Sequence, residues 1–403
     1  MSKILILYHY YHPDDVVSAV QFTGLGEGLA SRGWEVEVWP SNRACHNPET
    51  TYPLEKEILN GVTIKRIWRP TFRQHTFLGR IINSIFMQTA WWVRLIFSPG
   101  FKPDVIITGT DPLFGILLTP FLKMIRPRAK IAHWCFDLYP EAAVADGLVG
   151  EKSFLVGILD RFLKPSYQAS DLVVDLGSCM TERLKKYPVK KVITLTPWAL
   201  EEPSHPLPYD PDERKKLFGD SPLGLLYSGS FGRAHGCWMT LLLAQKLRDG
   251  AVFTYGVRGS RLEELKKVVG PEDSNVRFAE FASPDKLWAR ISAPDIHLVS
   301  LRSEWTGLVV PSKFFGALAA GRPVLFEGSP DSCIAGWIQE YGVGWVLSPD
   351  RIEETAADLK AFSRDEKRKN EMFNRCHEVY QKHFSKGSIL EGWDRELRSA
   401  LAE

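Results

Sequence analysis

The chain has 403 residues, 44% of them hydrophobic and 24% charged, which excludes a disordered or collagen-like polypeptide and leaves room for two or three domains. Lys and Arg total 50 and Asp and Glu 48, a formal net charge of +2, so no overall basic field argues for nucleic acid as a partner. The six cysteines form no CxxC pair, which excludes a zinc-finger framework and fits reduced, mostly buried thiols.

The first residues, Met1-Ser-Lys-Ile-Leu-Ile-Leu-Tyr8, lack the apolar core and small-residue site of a signal peptide. A strand is expected at 3–8, then a helix over 17–32 closed by Gly33, then a strand at 35–39, which together make a βαβ unit. A further strand is expected at 62–68 and a long aromatic helix from 77. The apolar stretch 77–97 is broken by Arg80, Asn83, Gln88 and Arg94, so it does not read as a bilayer span of about 20 apolar residues. Apolar runs at 104–108, 130–135 and 171–176 suit strands buried on both faces of a parallel sheet. Gly24, Gly26 and Gly28 fall inside the first helix, too late for a nicotinamide-binding turn.

Near 200 the composition changes. Pro203, Pro206, Pro208 and Pro211 crowd a short polar stretch that reads as a linker. Strands are then expected at 223–227, 252–255, 276–278, 296–301, 323–326 and 344–347, with a charged helical region from 352 to the end. The pattern predicts an α/β protein of two doubly wound, Rossmann-like domains facing across a cleft. The expected divisions are an N-terminal domain over 1–198, a linker over 199–215, a second domain over 216–385, and a C-terminal helix over 386–403 that crosses back to the first domain.

Two stretches of the second half carry chemistry. Tyr227-Ser-Gly-Ser-Phe-Gly-Arg-Ala-His-Gly236 follows a strand and precedes a helix near Cys237. Gly229, Gly232 and Gly236 allow close backbone approach, the helix N-terminus offers free N–H groups to a phosphate, Arg233 adds a fork of donors and His235 a switchable one. An ordinary glycine-rich turn would show some of the same residues. In Gly307-Leu-Val-Val-Pro-Ser-Lys-Phe-Phe-Gly-Ala-Leu-Ala-Ala-Gly-Arg-Pro-Val324, Pro311 and Ser312 mark a helix start with Ser312 as cap. Lys313 then falls in the first turn, where a cation is unfavourable to the helix itself and suggests an anionic partner. The competing reading is a packing helix with a solvent-facing lysine.

In the first half, Phe136-Asp-Leu-Tyr-Pro-Glu141 places Asp137 and Glu141 after a strand, where carboxylates could bind acceptor hydroxyls or stabilise positive charge on a sugar. They equally suit a capping Asp and a helix-start Glu. Asp111 is a similar candidate. His12, Asp14 and Asp15, with His9, stand in the first βα loop; their spacing matches no metal motif, and they read as polar residues lining the cleft. Lys65, Arg66, Trp68, Arg69, Arg73, His75 and Arg80 run into the aromatic helix, so the stretch 65–97 suits either contact with an anionic membrane surface or a core helix with a basic edge.

These motifs together resemble the family-four retaining glycosyltransferases of the GT-B fold, in the bacterial branch that builds surface polysaccharides. The resemblance spans most of the chain. It rests on Ser228-Gly-Ser-Phe-Gly-Arg-Ala-His235, on Val310-Pro-Ser-Lys through Gly321-Arg-Pro-Val324, and more loosely on the 11–18, 28–36 and 136–141 segments. It implies a nucleotide-sugar donor, a UDP- or GDP-sugar, held by the second domain, with Arg233 and Lys313 facing the diphosphate as leaving group and no metal or other cofactor. Gly229, Ser230, Gly232, His235, Gly236, Glu304, Gly307, Ser312 and Gly316 would line the donor, with the base near 256–259 and 280–281, hence Arg258 and Phe281. The acceptor would be a hydroxyl, on a lipid-linked glycan, and the enzyme cytoplasmic, peripheral on the inner face of the membrane.

The chain also departs from the family pattern. The family's two glutamates fall on Leu308 and Gly316, with Glu304 upstream and Glu327 downstream as the nearest acids. Ser230 and His235 stand at the usual arginine and lysine places, Val17-Ser18 replaces a Gly-Gly pair, and Phe136 stands where many members carry histidine. Two other readings therefore stay open, a nucleotide-sugar epimerase of the same fold and a non-catalytic nucleotide-sugar-binding scaffold.

Overall fold

The computed structural model describes residues 1–74 and 76–403, with the side chains of Phe77 and Pro284 also left aside. His75 of the basic-aromatic stretch thus lies outside the described residues. The chain divides into two units, one of Met1–Thr196 with Ile389–Glu403, the other of Pro197–Ser388.

The first unit is built on an eight-stranded sheet. In chain order its elements are β1 (Lys3–Leu7), α1 (Val17–Ala30), β2 (Glu35–Val38), β3 (Glu57–Leu59), β4 (Val62–Ile64), α2 (Phe77–Ile96), β5 (Val105–Gly109), α3 (Thr119–Ile125), β6 (Lys130–Trp134), α4 (Glu141–Ala145), α5 (Phe154–Ala169), β7 (Leu172–Asp175), α6 (Ser178–Leu184) and β8 (Val192–Thr194). The strand order is β3-β4-β2-β1-β5-β6-β7-β8, parallel except for the β3–β4 pair. The three-residue strands β3 and β8 were not expected from sequence, since so short a run carries almost no periodicity. Strand order reverses between β1 and β5. Right-handed crossovers therefore put α1 on one face of the sheet and α2, α3 and α5 on the other.

On the α2 face, Leu5, Leu7, Ile106 and Ile131 pack against Met87, Trp91 and Leu95. Each fully buried side chain of this kind contributes about 1.5–3 kcal/mol. On the α1 face, Tyr8 stacks on Phe22 and Trp134 meets Trp393 edge-on, so the C-terminal segment closes this core. Gly28 is what lets that segment in: a Cβ there would lie 2.3 Å from a Leu390 methyl. The Trp34 indole N–H donates to Asp394 at 2.6 Å beside it.

The second unit holds α7 (Pro211–Phe218), β9 (Gly224–Ser230), α8 (Trp238–Lys246), β10 (Val252–Arg258), α9 (Leu262–Val268), β11 (Val276–Phe278), α10 (Leu287–Ser292), β12 (Ile296–Ser300), α11 (Lys313–Ala319), β13 (Val324–Glu327), α12 (Cys333–Tyr341), β14 (Gly344–Leu347), α13 (Ile352–Arg364), α14 (Glu366–Val379) and the start of α15 (Lys386–Ala402). Its six parallel strands run β11-β10-β9-β12-β13-β14, so the order reverses between β9 and β12. The proline-rich stretch is not all linker: Asp210 caps α7 by accepting the Glu213 N–H at 2.8 Å, and Pro211 takes the first helical position. Arg322 of the Gly-Arg-Pro motif is structural. Its buried guanidinium donates to the carbonyls of Leu207, Ser292 and Pro294 at 2.7–2.9 Å and lies over Tyr209 and Phe373.

Candidate active site

In doubly wound sheets a ligand crevice opens at the carboxyl ends of the strands, where the strand order reverses. In the second unit that point is flanked by the ends of β9 and β12. Gly229, at the end of β9, has φ +122°, and a Cβ on it would lie 2.9 Å from Lys313 Cε. Glycine is required here because the lysine crosses the strand end. Lys313 is partly buried, its Nζ 5.1 Å from the centre of the Tyr227 ring, and burial pushes its pKa down to about 8 with no carboxylate among the described residues to offset it.

His235 Nδ1 lies 2.7 Å from the Ser300 carbonyl and donates to it. Burial, and after it the Lys313 charge, hold its pKa down to about 4, so the ring is neutral at pH 7. The loop around it is clamped. The Gly236 N–H donates to Ser300 Oγ at 3.3 Å, Arg302 donates to the Arg233 carbonyl at 3.3 Å, and Arg261 donates to the His235 carbonyl. Arg233 and Ser230 are exposed, and Gly232 is half-buried in the same loop.

The expectation that α8 offers free N–H groups to a phosphate is not met. Glu327, at the end of β13, occupies that helix terminus: its carboxylate accepts the Thr240 N–H at 2.9 Å and hydroxyl at 2.6 Å, and the Trp238 and Met239 amides as well. The protein supplies its own anion there. Ser312 likewise precedes α11 without a side-chain cap bond. Leu308 is buried, whereas Gly316 faces open space, with no atom within 4 Å of a built Cβ. Gly307 turns the chain just before it with φ +78°. Arg258 and Phe281 come together as a cation–π pair, 4.1 Å from guanidinium to ring centre. Glu304 is exposed beside Arg302, 3.4 Å away.

A pocket of about 640 Å³ opens at these strand ends, lined by Gly236, Glu304 and Glu327 together with Arg261, Trp238 and Ser348. Arg261 and Ser348 were not foreseen. They sit in loops and a helix start with no motif to mark them.

The first unit has its reversal point at β1 and β5. There His9 Nδ1 stands 3.4 Å from Asp111 Oδ1, and the His9 amide donates to the Asp111 carbonyl at 3.3 Å. Burial alone would raise the Asp111 pKa, but His9, Arg80 and Arg69 outweigh it and hold the carboxyl below its usual range. Asp137, after β6, has its pKa pushed up to about 6 by burial, with Arg80 opposing and Asp111 adding to the rise. Arg80, from the first turn of α2, lies 5.7 Å over the Tyr139 ring. Arg69 is buried, 5.8 Å over Tyr10, with Nε and Nη1 unpartnered among the described residues. Sequence reading placed Arg69 and Arg80 in a basic stretch; only the fold turns them toward the acids.

The other candidates separate from this cluster. Glu141 is tied down: the Tyr187 hydroxyl donates to it at 2.9 Å and Lys186 pairs with it. Asp14 turns inward and accepts the Cys45 N–H at 2.7 Å, as a loop clasp rather than a free polar ligand. Asp15 and His12 are exposed; the His12 amide donates to Thr23 Oγ1 at 3.0 Å. Among the described residues no group of three His, Cys, Asp or Glu could hold a metal ion.

No protein-family model matches the chain. It is 27% identical over 350 residues to a probable glycosyltransferase, WbjE, of Pseudomonas aeruginosa, covering 82% of this chain and 84% of that one. In structure it is similar to the sucrose-phosphate synthase of Thermosynechococcus elongatus, with a TM-score of 0.72 and 17% identity over 100% of both chains. It is also similar to Anabaena Alr3699/HepE in complex with UDP, with a TM-score of 0.66 and 11% identity over 99% of this chain and 100% of that one. With two parallel, doubly wound units and full-length likeness to such neighbours, the chain has the GT-B glycosyltransferase fold.

Proposed function

We propose that this protein is a glycosyltransferase that moves a sugar from a nucleoside diphosphate sugar, held by the second unit, to an acceptor hydroxyl held by the first. The observation that carries the reading is Lys313: a partly buried cation with no paired carboxylate among the described residues, set against a glycine at the strand-order reversal point. A diphosphate would supply the missing counter-charge. The similar proteins support the same direction, one a probable glycosyltransferase in sequence and one a fold neighbour whose structure holds UDP.

In the reaction the anomeric carbon–oxygen bond to the diphosphate breaks and a bond to the acceptor oxygen forms. Lys313 and Arg233 would hold the charge developing on the leaving diphosphate, a role fixed cations fill without a metal. The cluster around Asp111 and Asp137 would bind the acceptor hydroxyl, and Asp137 would receive its proton or stabilise charge on the sugar. The product keeps the donor's anomeric configuration in this reading. The acceptor is a lipid-linked glycan in surface polysaccharide assembly, met at the inner face of the membrane through the 65–97 stretch. No helix of the described residues is long and apolar enough to cross a bilayer.

A thermal-shift panel with UDP, GDP, ADP, dTDP and CMP tests the donor site. A nucleotide at about 100 times its dissociation constant adds roughly 2.7 kcal/mol of stability. One nucleoside diphosphate should stabilise the protein, and Lys313→Met should abolish the shift. A shift that survives in that variant moves the donor site elsewhere. Incubation with donor alone, followed by product analysis, should return unaltered donor; an epimer would mean a different reaction on the same fold.

A further inference from the structure

Helix α2 is amphipathic in the wrong sense for a core helix alone. Part of its polar set points inward. The Asn83 amide donates to the Phe72 carbonyl at 2.7 Å, Ser84 Oγ accepts the Leu113 N–H at 3.0 Å, and the Gln88 amide donates to the Leu113 carbonyl at 3.1 Å. The outward side carries Leu78, Ile85, Val93 and Phe97, the first 68% and the last 80% exposed. A core helix spends its apolar residues inside. Here Met87, Trp91 and Leu95 do so, and a second apolar stripe is left in water.

That stripe does not stop at α2. Helix α3 packs against both α2 and α5, and Trp92 of α2 meets Phe121 of α3 edge-on at 5.9 Å. Phe121 and Met124 of α3 are exposed, 50% and 66%. On α5 an i, i+4, i+8 row of Phe154, Ile158 and Phe162 faces out, Phe154 at 84% and Phe162 at 58%. Contiguous apolar surface on this scale marks an interaction face.

Charge says what covers it. From Lys65 to Lys102 the chain holds Lys65, Arg66, Arg69, Arg73, Arg80, Arg94 and Lys102 and not one Asp or Glu. The loop and helix from Pro112 to Lys130 add Lys123, Arg126, Arg128 and Lys130, again with no acid. Of these Arg73, Lys102 and Arg128 are exposed, as are Lys152, Arg161 and Lys164 around α5. Around α5 there are acids too, Glu151 and Asp160, but cations outnumber them, and exposed aliphatic and aromatic side chains among a cationic excess match a leaflet of anionic lipids.

We propose that α2, α3 and α5 together form one docking face that lies in the interface of an anionic bilayer, with the Phe154, Ile158 and Phe162 row as an anchor in its own right. This rests on the membrane reading given above and extends it to two helices which that reading leaves out. It also locates the first unit's site. Leu78, facing out, and Arg80, facing Asp111 and Asp137, are two residues apart in the first turn of α2, so docking sets the acid cluster next to the lipid headgroups.

The test is flotation of the full chain with vesicles of phosphatidylcholine alone or mixed with phosphatidylglycerol. The protein should float with the mixed vesicles and at least about tenfold less with the neutral ones. The triple variant Phe154→Ser, Ile158→Ser, Phe162→Ser should lose about tenfold in partitioning, as should Leu78→Ser, Ile85→Ser, Val93→Ser, with unchanged melting temperature and UDP shift. If the α2 variant loses binding and the α5 variant floats like the wild type, the three-helix face is wrong and only the membrane reading stands. If the wild type floats with neither vesicle, both fall. A dimer that the α5 variant dissolves, without vesicle binding, would make the face a contact between copies and overturn the proposal.

Discussion

The two reversal points of this molecule handle buried charge in opposite ways. In the first unit the charges of Arg69 and Arg80 offset those of Asp111 and Asp137, so its acids are tuned by neighbours. In the second unit Lys313 has no counter-ion among the described residues. Compensated charge suits recognition of a neutral hydroxyl. Uncompensated charge is costly to keep unless something anionic arrives. On the proposed function the acceptor goes to one unit and the diphosphate to the other, and the contrast can be broken at each end.

The largest effect is expected at the uncompensated end. Lys313→Met should lower kcat/KM by about 10²–10³-fold, the loss typical of removing a group that meets developing charge. The cationic form is the one that binds an anion. UDP affinity of the wild type should therefore be full below about pH 8 and fall as pH rises through it, and the variant should show no such fall. Titration calorimetry across that range reads both. A wild-type affinity that is flat through pH 9 would remove Lys313 from the donor site.

At the compensated end Asp137→Asn should cost about 10²-fold. The ionised carboxylate is the working form, so activity should decline as pH drops through about 6. Arg80 holds that value down. Arg80→Gln should move the acid limb of the kcat/KM profile up by roughly one pH unit while leaving UDP binding unchanged. That combination separates positioning from simple damage: a loss without a shifted limb would make Arg80 structural only.

A smaller effect is expected where sequence and structure agree best. Gly229→Ala forces an alanine into φ +122° and crowds Lys313, at a cost of about 1–3 kcal/mol in stability. UDP affinity should fall roughly tenfold through the displaced lysine.

Much of the architecture could be read directly from the residues, because strands buried on both faces of a parallel sheet are apolar runs bounded by turns. Such runs at 104–108, 130–135 and 296–301 became β5, β6 and β12 almost residue for residue. The Gly229 and Lys313 stretches could also be read, since each is a local signal: glycine at a strand end, lysine in a first helical turn. What escaped was set by tertiary context. Arg80 looks like one cation among many until α2 is laid on the sheet. Phe154, Ile158 and Phe162 have the spacing of a core stripe, and nothing local reveals that they face out. Glu327 reads as an acid after a strand, and only the fold brings it to the start of α8.

Glu327 gives the finest test of the contrast, because it is compensated charge inside the unit whose lysine is not. If its carboxylate acts as the helix terminus's own anion, Glu327→Gln keeps one oxygen for the Thr240 bonds, removes the charge, and sets an amide donor against the Trp238 and Met239 N–H groups. The cost should be about 2 kcal/mol, from the lost charge and the opposed amide together, read as a fall of roughly 4–8 °C in melting temperature. UDP affinity should change less than about threefold if, as proposed, the diphosphate sits at Lys313 and not at α8. A tenfold gain in affinity would mean that the phosphate had been competing with Glu327 for the helix, and the glycine-rich loop would then regain the role its sequence suggested.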